Sequence, residues 1–147
     1  MKYGFFTLLA TILLFAACEV GDPYAKEKAA IADYIKTHNL TVVPRASGLY
    51  YIETKTGTGI IPPYGSTVKV KYKGTFTDGT EFDSGTTSFK LGFSQVIAGW
   101  DEGIALMKEG GKATLIIPCD LAYGANGSGS IPGYTPLVFT VELIGIF

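Results

Sequence analysis

The chain has 147 residues, of which 47% are hydrophobic and 17% charged, with a formal net charge of −1. This length and balance fit one packed domain with a short extension and exclude a disordered chain. With no basic block and no run of like charges, nucleic acid is excluded as the main partner.

The chain opens on an export signal. Lys2 gives a positive start, Phe5 to Ala17 is an apolar run, and small residues lead into Cys18 in "LLFAAC". The run is shorter than the roughly 20 residues of a spanning helix and suits the apolar region of a secretory signal. Its end resembles a bacterial lipobox, with Phe15 where leucine is more usual. Residues 1–17 are then removed, and Cys18 is the lipidation site through which acyl chains hold the protein on a membrane. The competing reading is an ordinary signal peptide with Cys18 incidental. A lipobox implies a bacterial protein exported to the periplasm or cell surface and anchored there. Cys119 has no remaining partner, so no intramolecular disulfide is expected.

Residues 18–47 read as anchor, helix and linker. Asp22 suits an N-cap and Pro23 the first helical position. Ile31, Tyr34, Ile35 and His38 fall near one face, and Asn39 is a stop. The helix packs on its own domain or makes a homodimer contact, and both readings stay open. "VVPRASG" reads as a linker, and the main domain spans residues 48–147.

From Leu49 the apolar period changes to two. "LYYIETK" reads as a strand. In "TVKVKYKGTF", Val68, Val70 and Tyr72 face one way and Lys69, Lys71 and Lys73 the other, which predicts an antiparallel sheet with one wet face. "FTDGTEF" reads as two extended runs joined by Asp78-Gly79, a favoured hairpin dipeptide. "QVIAGWDEGIALMKEGG" reads as a short helix holding the one tryptophan, Trp100. "KATLIIP" and "LVFTVELIGIF" read as two further strands. The expected fold is α+β: a five- to six-stranded twisted antiparallel sheet wrapped around one short helix, with an N-terminal helix extension.

Elimination narrows the chemistry. The one histidine, His38, lies in the N-terminal helix, so no Ser–His or Cys–His arrangement forms. Metal-ligand spacing is absent, and no metal or cofactor is expected. "GTGIIPPYG" and "GANGSGSIPG" do not follow the phosphate-loop pattern. Asp101 and Glu102 read as solvated acids favoured by the helix dipole. An enzyme built from these residues works without a nucleophile, metal or strong base.

"VKVKYKGTFTDGTEFDSG", "FKLGFSQVIAGWDEGIALMKEGGKATLIIP", "LAYG" and "IPGYTPLVFTVELIGIF" occur in this order and spacing. Together they resemble the FKBP-type peptidyl-prolyl cis-trans isomerases, over about Leu49 to Phe147. The N-terminal helix and lipobox are similar to those of the membrane-anchored, exported bacterial members. The resemblance implies an apolar basin between helix and sheet that binds X–Pro segments of exported proteins and takes macrolide inhibitors. Matched position by position, the expected catalytic residues are Tyr72, Asp83, Ile97 and Tyr123. Those expected to bind substrate are Phe82, Phe89, Val96, Trp100, Ile131 and Phe139. Trp100 would be the basin floor, against the ordinary reading of a core tryptophan. The Ile97 amide and the Tyr123 hydroxyl would bond a substrate carbonyl. Asp83 would orient Tyr72 or polarise the carbonyl; its rival reading is a turn residue bonding its own backbone. Neighbours in a straight strand point to opposite faces, so Phe82 and Asp83 share the basin only if the chain bends at "FDSG". Two departures bear on substrate preference: Thr87 stands at an often aromatic position, and Ala125 to Ser130 lacks bulky residues.

The implied function is isomerisation of X–Pro bonds in exported proteins. The planar amide is more dipolar than the twisted one, so a dry pocket favours the twisted transition state. The alternatives are a non-catalytic peptide-binding chaperone and an anchored adhesion or assembly module.

Overall fold

Five strands form one antiparallel sheet in the order β1-β4-β5-β2-β3. A computed structural model describes residues 21–147. The signal-like run and Cys18 lie outside the described residues. In chain order the elements are α1 (Pro23–Thr37), β1 (Tyr50–Lys55), β2 (Thr67–Thr75) and β3 (Glu81–Lys90). There follow α2 (Ala98–Ile104), β4 (Lys112–Ile117), a 3-10 turn (Cys119–Leu121) and β5 (Leu137–Ile146). This is the expected α+β architecture, with five strands.

β2 alternates as its lysines foretell. Val68 and Val70 are buried, Lys69, Lys71 and Lys73 are exposed, and Tyr72 is half-buried. The link to β3 is longer than a two-residue loop. Phe76 N–H donates to Thr80 O at 2.9 Å, and Gly79, at φ +89°, donates to Phe76 O at 3.0 Å. The Asp78 side chain accepts from Thr80 N–H at 2.8 Å, which holds the wider turn.

The main core lies on the inner face, where α2 sits against β4. A Cβ on Gly99 would lie 2.5 Å from Ile117 Cγ2, and one on Gly103 would lie 2.7 Å from Leu115 Cδ1. Only glycine permits so close an approach, and Trp100 is held between these two contacts.

α1 starts and ends near the expected residues. Asp22 caps it, accepting from Tyr24 N–H at 3.0 Å, and Pro23 begins it. The helix covers part of the outer face, where Ile31 packs with Ile116 and Val138, flanked by Tyr34, Ile35, Tyr50 and Ile52. This is the own-domain packing of the two readings left open. His38 does not join that face. It caps the helix C-terminus, stacks on Tyr34 with centroids 4.0 Å apart, and its Nδ1 lies 2.9 Å from Tyr34 O. Beyond α1 the outer face is charged, with a groove of about 220 Å³ bordered by Lys71, Lys73, Lys112 and Glu142.

Candidate active site

A basin of about 230 Å³ opens between α2 and the inner face of the sheet. It brings together Tyr72, Phe82, Asp83, Val96, Ile97, Trp100, Tyr123 and Phe139, eight of the ten residues the sequence singles out, along with Thr87 and Gln95. Phe89 and Ile131 do not line it. Both are buried in the main core, Phe89 with its ring 5.9 Å from the Trp100 ring. Phe89 backs the floor of the basin.

Trp100 is floor and core at once. It lies in the first turn of α2, 5% exposed, and lines the basin. Tyr72 and Phe139 stand edge-on to the indole, with centroids at 4.9 and 5.1 Å. Such edge-to-face pairs are favourable beyond the area they bury, and they fix the tilt of the floor. The indole N–H has no hydrogen-bond acceptor among the described residues.

The bend expected at "FDSG" is a β-bulge. Gly74 pairs with Asp83 but Thr75 pairs with Glu81, leaving Phe82 as the extra residue. The bulge turns both Phe82 and Asp83 to the basin. Phe82 then meets Phe139 edge-on at 5.5 Å. Asp83 accepts from the Tyr72 hydroxyl at 2.9 Å. This contact is the one that the orienting role requires. Burial raises the pKa of Tyr72, and the hydrogen bond and charge of Asp83 raise it further. The phenol therefore stays protonated and donating at neutral pH.

Ile97 is the N-cap of α2. Its carbonyl accepts from Trp100 N–H at 2.9 Å, while its own amide donates to no carbonyl among the described residues. That amide is a donor at the basin edge that a substrate carbonyl can take. Tyr123 stands across the opening, 39% exposed, on the loop after the 3-10 turn.

Two supporting residues escape the sequence. Asp101 is not merely a solvated acid: it accepts from Gly92 N–H at 2.8 Å and Ser94 N–H at 3.1 Å, tying the loop before α2 to the helix. Gln95 accepts from Lys90 N–H at 2.8 Å. Nothing in the local pattern separates these from ordinary surface polar residues. Among the described residues no cluster of His, Cys, Asp or Glu could hold a metal ion. No helix among them is long and apolar enough to cross a membrane.

Comparison with known proteins agrees with this geometry. Residues 59–144 match the FKBP-type peptidyl-prolyl cis-trans isomerase family. The chain is 50% identical over 105 residues to the isomerase FkpA of Aeromonas hydrophila, covering 68% of this chain and 38% of that one. It is 53% identical over 96 residues to FK506-binding protein 1 of Dictyostelium discoideum, covering 61% and 90%. A crystal structure of a peptidyl-prolyl cis-trans isomerase from Pseudomonas syringae superposes with TM-score 0.72 at 36% identity, covering 86% of this chain and 96% of that one. Longer curated relatives are spanned over 30 to 46% of their length. The match over residues 59–144, the wrapped sheet and the Trp100-floored basin place this chain in the FKBP-type peptidyl-prolyl cis-trans isomerase family.

Proposed function

We propose that residues 48–147 form a peptidyl-prolyl cis-trans isomerase domain that acts on X–Pro bonds of exported proteins. The observation that carries this reading is the aromatic basin: Trp100 as floor, with Tyr72 and Phe139 edge-on to it. A proline ring fits on the indole face. The uncatalysed barrier is about 20 kcal/mol, set by amide resonance. An apolar site disfavours the dipolar planar amide and favours the twisted one. The free Ile97 amide and the Tyr123 hydroxyl bond the substrate carbonyls and hold the peptide while the C–N bond turns. Asp83 holds the Tyr72 hydroxyl and so keeps that ring in the wall. Phe82, Val96 and Phe139 close the sides, with Phe89 behind Trp100. About 7 kcal/mol of barrier lowering gives roughly five decades of rate.

Thr87 replaces an aromatic wall with a small polar one, which suits bulkier residues before proline. Macrolides that fill FKBP basins are proposed to compete for the same surface. Cys18 is proposed as the anchor of an exported lipoprotein, on the strength of "LLFAAC". Cys18→Ser should abolish lipid labelling, and membrane partition unchanged from the parent would reject the anchor. A homodimer through α1 would have to use surface other than Ile31, which is taken up by its own sheet.

The test is an isomerisation assay of residues 19–147 on a short X–Pro peptide, with and without a macrolide. Catalysis abolished by the macrolide is expected. Peptide binding without catalysis would assign the domain to peptide holding instead. No binding at all would leave adhesion or assembly.

A further inference from the structure

α1 packs on the face of the sheet away from the basin, yet two of its residues reach the loop that carries Tyr123. Glu27 is 5% exposed, a buried acid between the exposed Lys26 and Lys28. Its Oε1 accepts from the backbone N–H of Cys119, and its Oε2 accepts from Cys119 Sγ at 3.3 Å. Cys119 holds both neighbours of Tyr123: its carbonyl accepts from Ala122 N–H at 2.9 Å and from Gly124 N–H at 2.8 Å. Three residues before Glu27, Tyr24 donates to Asp120 Oδ1 at 3.2 Å and lies edge-on to Tyr134 at 5.1 Å. Tyr134 N–H closes the loop on Gly124 O at 2.9 Å. Residues three apart share one helix face, so a single face of α1 grips both ends of the loop.

Docking a helix needs apolar burial, which Ile31 already supplies. Burying a carboxyl group is costly unless its oxygens are bonded, and an apolar residue would serve docking better. A buried acid whose two oxygens both go to one residue of a site loop fits a positional task.

We propose that Glu27 is a positioning residue for the isomerase reaction: through Cys119 it fixes where Tyr123 presents its hydroxyl to the substrate. This rests on the isomerase reading and extends the site to a helix that does not touch it. The loop between Cys119 and Tyr134 holds Gly124, Gly127 and Gly129, all at positive φ, and is costly to order by itself. Anchoring it before substrate arrives removes that ordering from the catalytic step.

The experiment is a double-mutant cycle on the full domain with α1, reading kcat/KM per folded molecule, with hydrogen exchange measured in parallel. Tyr123→Phe should lower kcat/KM by about fivefold, the worth of one hydrogen bond. Glu27→Ala should lower it about as much in the parent but less than about twofold in the Tyr123→Phe background. Glu27→Gln, which keeps an acceptor for the Cys119 amide, should recover part of the loss. The Ala122 and Gly124 amides of Glu27→Ala should exchange at least about tenfold faster, while β2–β5 amides stay protected. Equal losses in both backgrounds, or a Tyr123→Phe loss with none from Glu27→Ala, would overturn the proposal. If Tyr123→Phe costs nothing, the hydroxyl's role in the isomerase reading fails, and exchange alone decides the strut. Unchanged loop exchange, or faster exchange across the whole sheet, would then overturn it.

Discussion

Adding one methyl group at Gly74 should damage the basin from behind. Gly74 lies in β2 opposite the bulge, and a Cβ there would come within 2.7 Å of both Phe82 Cζ and Phe139 Cε1. Carbon atoms in contact keep about 3.5–4.0 Å, so the two rings must yield by about 1 Å. The backbone is not in the left-handed region, so alanine itself brings no strain. Alanine gains about 0.5–1 kcal/mol over glycine within a strand, and overpacking costs about 1–3 kcal/mol. The net expectation for Gly74→Ala is a loss of about 1 kcal/mol, which leaves the domain folded. Activity should fall further than stability. Both displaced rings line the basin, and a misplacement near 1 Å can cost about 10²-fold. The assay is isomerisation of a short X–Pro peptide, corrected for folded fraction by circular dichroism. Gly85→Ala is the control, because its Cβ would meet Tyr72 Oη at an ordinary 3.7 Å. If Gly74→Ala matched the parent in kcat/KM and macrolide affinity, the Phe82–Phe139 wall would not shape the site.

Trp100→Leu should lower both kcat/KM per folded molecule and stability, the latter by about 3 kcal/mol. Trp100→Phe should keep more of each; parental activity per folded leucine variant would make the indole packing alone. The isomerisation rate should be flat from about pH 6 to 8, because the mechanism uses no titrating base and Tyr72 stays protonated. A bell-shaped profile in that range would reject the twisted-amide mechanism. At alkaline pH the buried thiol of Cys119 should matter. Burial, then Glu27, pushes its pKa up from 9.0 to about 12. A folded pKa above the unfolded one means its contribution is whole below about pH 9 and lost as pH rises towards 12. Melting temperature should therefore fall more steeply between about pH 9 and 11 in the parent than in Cys119→Ala; equal slopes would refute this.

The elements were legible where one pattern ruled them. The lysine alternation of β2 gave both its span and its faces, and Asp22-Pro23 gave the start of α1. The basin was legible through the resemblance, since no periodicity marks a ring as wall or core. The bulge left a single trace, the demand that adjacent Phe82 and Asp83 share one face. One extra residue in a strand does not disturb a short alternating pattern enough to be seen. Glu27 was illegible for a different reason. It stands between Lys26 and Lys28 like any solvated acid, and its partner is 92 residues away in the chain. Asp101 likewise looked like a dipole acid, because its bonds to the Gly92 and Ser94 amides depend on how the loop folds back.

The position of β5 has a consequence for how the chain is made. This strand, which follows the other four in the chain, lies in the interior of the sheet and joins β4 to β2. Without β5, β1 has only β4 to pair with and β2 only β3, and no strand joins the two pairs. Synthesis from the N-terminus therefore cannot complete the sheet step by step; the two halves wait on β5. A nascent chain that stays open until β5 is free can still be threaded through a narrow translocation pore. The domain proposed as a folding assistant would itself fold only once β5 is free, and a stop codon before Leu137 would leave two strand pairs rather than a smaller enzyme.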